Sequence, residues 1–109
     1  ERHDVVGFAL SRLILDECEL MLLAVSAGAQ QAGVGRLLLA TMIADARDAN
    51  ASSIFLEVRA GNPAIALYSS SGFLQVGRRA RYYRGRLGET YDALTYRLAL
   101  WKVGGNNAS

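Results

Sequence analysis

The sequence predicts a single mixed-sheet domain of the α/β or α+β class, with its elements in the order β-β-α-β-α-β-β. Apolar runs rich in β-branched residues alternate along the chain with segments of helical spacing. The length of 109 residues suffices for one hydrophobic core. Hydrophobic residues make up 51% and charged residues 20%, which excludes a disordered chain. No apolar run approaches the roughly 18 residues of a membrane-spanning helix.

Two strands are predicted before the first helix. Residues 5–12 are enriched in β-branched and aromatic side chains and carry no helical stripe. Asp16 and Glu17 then predict a turn. Residues 18–25 are apolar almost throughout, which is typical of a strand covered on both faces. The second strand is therefore expected at the centre of the sheet.

The first helix is predicted over residues 35–49. Asp45 and Asp48 lie outside its apolar stripe. The stripe itself has the spacing i, i+3, i+4, i+7 and consists of Leu39, Met42, Ile43 and Ala46.

The second half of the chain predicts a strand, a short helix and a pair of strands. Residues 53–59 form another buried apolar run. Asn62 and Pro63 indicate a helix start, because Asn caps free amides and Pro fits the first helical position. Gly72 ends this helix of about nine residues. Residues 73–79 and 91–98 are predicted to pair antiparallel across residues 81–89. The domain then spans residues 1–101, with a tail at 102–109.

Composition limits the kinds of site and partner. Cys18 is the single cysteine and His3 the single histidine, so no disulfide framework and no Cys/His metal site are expected. The net charge of +2 does not by itself indicate nucleic-acid binding. The N-terminus lacks a secretory layout, so we expect a cytoplasmic protein without a membrane partner.

A glycine-rich segment precedes the first helix. Gly33 and Gly35 lead into it, and the first amides of a helix have no internal partner and attract anions. A P-loop would need Lys after the glycine, but Arg36 and Leu37 follow, and Leu38 breaks a dinucleotide fingerprint. The two glycines alone fit a simple turn equally well.

Several ordered segments together resemble the GNAT acetyltransferases, and within them the ribosomal-protein-alanine N-acetyltransferases of the RimI type. The resemblance covers roughly residues 5–100. It rests on these segments: Gln30-Gln31-Ala32-Gly33-Val34-Gly35, Phe55-Leu56-Glu57-Val58-Arg59, Asn62, Ala66-Leu67-Tyr68, Gly72-Phe73 and Arg79-Ala80-Arg81-Tyr82-Tyr83.

The resemblance implies an acetyl-CoA site and no metal. The backbone of Leu23, Ala24 and Val25 would run beside the pantetheine arm, and Asn62 would also contact the cofactor. A plain core strand and a helix cap are the alternatives for these two groups. The amides that would hold the pyrophosphate are those of Gln31, Ala32, Gly33, Val34, Gly35 and Arg36.

Two side chains are candidates for proton transfer. Glu57 is a carboxylate inside an apolar run and is costly to bury, so it must face solvent, a partner or a ligand. The resemblance implies that Glu57 is the general base and that Tyr68 is the general acid for the leaving thiolate. The alternatives are a solvent-facing Glu57 paired with Arg59 or another arginine, and a core tyrosine at position 68.

The resemblance implies transfer of acetyl from acetyl-CoA to the N-terminal α-amine of a protein, such as the alanine of a ribosomal protein, by direct attack in a ternary complex. The alternative is a non-catalytic acyl-CoA-binding or RNA-associated module. Five arginines between Arg78 and Arg86, with Tyr82 and Tyr83, fit an RNA surface, the peptide side of an acetyltransferase or a solvated hairpin.

Three departures from the family pattern stand out. Roughly the N-terminal third of the family is expected to be absent from this chain. Ala27, Gly28 and Ala29 replace more rigid or basic residues in the cofactor loop. The segment from Asn62 to Tyr68 is one residue short, which corresponds to about 100° of helix rotation.

Overall fold

A computed structural model of the protein describes residues 7–14, 17–25 and 33–100. The described elements follow the predicted order and confirm the predicted class. They are β1 (Gly7–Ile14), β2 (Glu17–Val25), α1 (Val34–Asp48), β3 (Ser53–Arg59), α2 (Ala64–Ser70), β4 (Leu74–Arg84) and β5 (Thr90–Ala99).

The strands form a mixed five-stranded sheet in the order β1-β2-β3-β5-β4. β2 and β3 are parallel, as expected for two strands joined by a helical crossover. β1 pairs antiparallel with β2, and β5 lies antiparallel between β3 and β4. The predicted hairpin pairing of the last two strands is therefore confirmed. Because β5 fills the place next to β3, β4 is the edge strand of the sheet.

Both helices pack on one face of the sheet. The buried cluster joins Leu39 and Met42 of α1 with Ile54 and Leu56 of β3 and with Tyr68 of α2. Ile54, Leu56 and Val58 alternate along β3, so its other side chains face away from the helices. Ala46 is also buried and Ile43 packs against the cluster, which confirms the predicted stripe of α1.

The second helix is shorter than predicted, with seven residues instead of about nine. The difference is one residue at each end, since Pro63 and Ser71 flank the regular helix. The Asn62 Oδ1 atom accepts the amide of Ala64 at 2.8 Å, and Pro63 has helical dihedral angles. These two residues therefore cap the helix as predicted, ahead of its first regular residue. Gly72 ends it in the left-handed region at φ 101°.

β4 extends to Arg84, past the predicted end at residue 79. A bulge between Arg79 and Tyr83 lets the strand continue to pair with β5 as far as Thr90. The hairpin connection is therefore residues 85–89. Glu89 stabilises it, because its Oε1 atom accepts the amide of Leu87 at 2.9 Å.

Some predictions lie outside the described residues. These are the start of the first strand at Val5, Asp16 of the predicted turn, the cofactor loop at residues 26–32 and the C-terminal tail. Glu17, the other residue of that predicted turn, is instead the first residue of β2. Within the described residues, β1 begins at Gly7 and continues to Ile14, beyond the predicted end at residue 12. In the same part of the chain, no helix combines the length and the apolar character needed to cross a membrane.

Candidate active site

The parallel strands β2 and β3 separate along their length. Among the described residues, they pair at three positions only, from Glu17 opposite Ser53 to Glu19 opposite Phe55. Beyond that point β2 pairs with β1, and β3 pairs with β5. The backbone of residues 20–25 therefore has hydrogen-bonding groups on the β3 side that this pairing does not use. The two carboxyl ends form a crevice, which is where ligands of parallel sheets commonly bind.

A bulge in β2 accounts for this separation. Leu10 pairs with Leu22 but Ser11 pairs with Leu20, so Met21 is an extra residue in the strand. A bulge bends its strand and increases the local twist. Met21 follows closely on Glu19, which makes the last described pair with β3, so the bulge lies where the parallel pairing ends.

The first turn of α1 has backbone features that favour an anion. Gly33 is the N-cap residue, with φ 81° and ψ 9°, and no side chain of the described residues caps the helix. The first turn carries no acid, so its free amides and the helix dipole favour an anion there. A Cβ at Gly33 would meet no atom within 4 Å, so the backbone conformation is what requires glycine. Gln31 and Ala32, which were predicted to share this role, lie outside the described residues.

Arg36 links the two helices. Its Nη1 atom donates to the Ser70 Oγ atom at 3.5 Å, and its side chain is exposed. Arg36 also lies beside an open groove of about 330 Å³ between the helices, which Arg47 and Leu98 help to line. The backbone of Arg36 lies in the first turn of α1, as the sequence predicts.

Glu57 lies on the sheet face opposite the helices. Its side chain is 29% exposed, and its Oε2 atom lies 3.5 Å from the Arg79 Nε atom. Burial, and then the negative charge of Glu57, raise the pKa of Tyr83. Glu57 therefore faces β4 across the intervening strand β5. The sequence had offered Arg59 first as its ion-pair partner, but the guanidinium of Arg59 stacks on the Tyr91 ring at 4.5 Å.

Tyr68 lies on the opposite side of the sheet, in the buried core. It is 6% exposed, and its ring centroid lies 5.9 Å from that of Phe73. Burial raises the pKa of its hydroxyl, so the group is protonated at neutral pH. The core environment that sequence analysis offered as an alternative is therefore present, and it also favours a proton donor.

Asn62, predicted to contact the cofactor, has a structural role at the start of α2. Its Oδ1 atom accepts the hydrogen bond from Ala64 that caps α2, and the residue is half-buried. Leu23, Ala24 and Val25 pair with β1, and within the described residues their other edge has no strand partner. Val34 and Gly35 begin α1. Among the residues that the structure describes, no group of three or more His, Cys, Asp or Glu side chains could hold a metal ion.

Sequence analysis did not assign the structural roles of Arg79 and Asp92. Arg79 was named in the basic segment and in the family resemblance but not as the partner of Glu57, and Asp92 was not singled out. The Oδ1 atom of Asp92 accepts the amide of Arg81 at 2.9 Å, and its Oδ2 atom is ion-paired with Arg78. The available signal was an acid in β5 opposite an arginine-rich strand, since opposite charges pair across antiparallel strands.

The comparisons with known proteins agree with this geometry. Residues 1–73 match the model of the acetyltransferase (GNAT) family. The ribosomal protein bS18-alanine N-acetyltransferase of Haemophilus influenzae is 36% identical over 83 residues, covering 76% of this chain and 57% of that protein. The Escherichia coli K12 protein of the same name is 40% identical over 80 residues, covering 72% and 54%.

A solved structure shows the same architecture. The crystal structure of the ribosomal-protein-S18-alanine N-acetyltransferase from Escherichia coli superposes with a TM-score of 0.85 at 36% identity. It covers 95% of this chain and 66% of that one. The chain thus spans a little over half the length of the curated relatives it matches. Its sequence and its split mixed sheet together show that the chain belongs to the GNAT acetyltransferase family and resembles the RimI type within it.

Proposed function

We propose that the protein is an acetyl-CoA-dependent N-acetyltransferase that acts on the N-terminal α-amine of a protein, with the alanine of a ribosomal protein as the acceptor. The names of its relatives support this acceptor class. The observation that carries the proposal is the separation of β2 and β3, with Glu57 on the adjacent part of β3. This arrangement offers an open backbone edge and a carboxylate at one crevice.

Acetyl-CoA would bind along that crevice. In this proposal the backbone of Leu23, Ala24 and Val25 accompanies the pantetheine arm. The amides of Gly33, Val34, Gly35 and Arg36, with those of Gln31 and Ala32, hold the pyrophosphate. The left-handed Gly33 and the uncapped first turn of α1 support this role. Asn62 contacts the cofactor with the amide nitrogen that its cap does not use.

The chemistry needs one proton acceptor and one donor. The amine nitrogen attacks the thioester carbon, the C–S bond breaks, and coenzyme A leaves as a thiolate. The carboxylate of Glu57 receives the amine proton, through water, and the Tyr68 hydroxyl protonates the thiolate. The pKa of an α-amine in an unfolded peptide is about 8, against about 10.4 for lysine, so a carboxylate base suffices for the α-amine. Attack is direct, within a ternary complex.

The test is the substitution Glu57→Gln, which keeps the shape and removes the base. We expect kcat to fall by about 10² to 10⁴ while the affinity for acetyl-CoA, measured by calorimetry, stays unchanged. Glu17→Gln is the matched control, because Glu17 lies on the same sheet face and also contacts an arginine, at 3.9 Å. This control should retain full activity.

The outcomes separate the two candidate functions. Full turnover by Glu57→Gln with an alanine-initiated peptide would overturn the catalytic role of Glu57. Tight acetyl-CoA binding by the wild-type protein without any transfer would favour the non-catalytic acyl-CoA-binding alternative.

A further inference from the structure

The bulge in β4 is unusual in its size and its backbone. Arg79 pairs with Ala93 and Tyr83 pairs with Tyr91, so three residues of β4 lie opposite Asp92 alone. Within this segment Arg81 has φ 51°, in the left-handed region. A residue other than Gly, Asn or Asp rarely adopts this backbone conformation unless other contacts stabilise it.

Asp92 supplies that support. One carboxylate oxygen accepts a hydrogen bond from the Arg81 amide at 2.9 Å, and the other accepts one from the Arg78 Nε atom at 2.5 Å. Its backbone carbonyl also accepts the amide of Ala60, just after β3, at 2.9 Å. Asp92 therefore connects Arg78, just before the bulge, and Arg81, in its middle, to β5 and to the turn that follows β3.

The bulge places a group of side chains beside Glu57. The Arg79 guanidinium lies 4.7 Å from the centroid of the Tyr82 ring, and the rings of Tyr82 and Tyr83 meet edge to face at 5.3 Å. In a regular strand, residues 79 and 82 would point to opposite faces. The contact between Arg79 and Tyr82 therefore depends on the bulge, and it lies next to the ion pair that Arg79 makes with Glu57.

We propose that Asp92 is a positioning residue for acceptor recognition: it holds Arg81 in the left-handed conformation and so fixes Arg79, Tyr82 and Tyr83 as a surface for the first residues of an acceptor peptide. This inference rests on the proposed function, since it takes the acetyl transfer to occur at Glu57. Tyr82 is 53% exposed and so remains available to a peptide.

The experiment pairs one substitution that should weaken peptide binding with a second that should restore it. Asp92→Asn removes the charge that holds the bulge, and we expect the KM for an alanine-initiated peptide to rise about tenfold while the KM for acetyl-CoA stays constant. Adding Arg81→Gly should return the peptide KM towards the wild-type value, because glycine adopts a positive φ without support. Glu89→Gln, which removes another carboxylate of the same hairpin, is the control and should leave the peptide KM unchanged.

Amide exchange separates this inference from the proposed function. NMR should show faster exchange of the Arg81 amide in Asp92→Asn, whether or not the protein is active. Faster exchange with unchanged peptide KM would overturn the inference, and so would failure of the glycine rescue. A wild-type protein with a protected Arg81 amide and no acetyl transfer would instead overturn the proposed function.

If Asp92→Asn alone does not fold, the double variant with Asp92→Asn and Arg81→Gly is compared with the wild type instead. A wild-type peptide KM in the folded double variant supports the inference. Peptide and acetyl-CoA KM values that rise together would contradict it, because they would indicate general damage to the domain.

Discussion

The environment of Tyr68 makes a specific prediction at the scale of one residue. Burial raises the pKa of its hydroxyl, so it carries its proton throughout the neutral range and can donate it. Tyr68→Phe keeps the packing against Phe73 and removes only the donor. We expect kcat to fall by about 10² or more, with little change in melting temperature or in acetyl-CoA affinity.

Tyr96→Phe is the control for this prediction. Tyr96 is 7% exposed and belongs to the same buried cluster, but it lies on β5 and has no proposed part in the reaction. Equal rates for the two variants would show that Tyr68 only fills the core.

Asn62 can be tested for a role beyond its cap. Asn62→Asp keeps an oxygen that can accept the Ala64 amide, so the melting temperature should stay close to that of the wild type. Asn62→Ala should destabilise the fold by about 1 kcal/mol, as loss of an N-cap does. If the Asn62 amide also donates to the cofactor, the aspartate variant should bind acetyl-CoA more weakly although it is equally stable. Unchanged affinity in calorimetry would limit Asn62 to the cap.

At the scale of elements, the β4–β5 hairpin should weaken in acid. Hydrogen bonds from the Arg81 amide and from Arg78 lower the pKa of Asp92. Hydrogen bonds from its own amide, from the Leu87 amide and from Tyr91 lower the pKa of Glu89. A lowered pKa stabilises the fold above the unfolded value, near 4, and this stabilisation is lost as the pH falls through the folded value.

The melting temperature should therefore drop below about pH 4, and this can be followed by circular dichroism. Asp92→Asn should melt below the wild type at pH 7 and converge with it in acid. A difference that stays constant with pH would show that the charge of Asp92 does not stabilise the hairpin.

The accuracy of the sequence predictions differed from one element to another. β3 has the predicted bounds and α1 the predicted stripe, because burial patterns within one element are local. The length of β4 could not be predicted in this way. Its bulge depends on Asp92, which is distant in sequence, and no Gly or Asn at position 81 marks the left-handed backbone.

The same distinction applies to the candidate site. Glu57 could be singled out, since an acid inside an apolar run conflicts with burial. Its ion pair with Arg79 could not, because it spans β5 and depends on the register of three strands. Arg59, which is close in sequence, was the more obvious partner but turns towards Tyr91 instead.

At the scale of the whole molecule, topology places both helices on one side. The crossovers from β2 to β3 and from β3 to β4 run in the same direction across the sheet and join parallel strands. Right-handed crossovers of this kind put their helices on the same face. The opposite face of the sheet therefore displays polar groups, including Glu17, Glu57 and Arg79. The proposed chemistry at Glu57 would thus take place on the face away from α1 and α2.

Binding of acetyl-CoA in the crevice should be detectable across the molecule. A ligand at 100 times its Kd stabilises the folded state by about 2.7 kcal/mol, which for a domain of this size raises the melting temperature by roughly 10 to 20 °C. Hydrogen exchange should slow at residues 23–25 and in the first turn of α1, where the backbone groups would meet the ligand. The amides of β4, which lies beyond β5, should exchange unchanged.

Gly33→Val tests whether the start of α1 takes part in this binding. Valine is strained at φ 81°, so the free variant should lose about 1 to 2 kcal/mol and its own melting temperature is the baseline. We expect acetyl-CoA to give little further stabilisation, because the first-turn amides no longer converge on the pyrophosphate. Pantetheine, which lacks the pyrophosphate, should bind the wild type and the variant alike. If acetyl-CoA raised the melting temperature of Gly33→Val as much as that of the wild type, the pyrophosphate would bind away from the first turn of α1. The proposed placement of acetyl-CoA between the separated strands would then be contradicted.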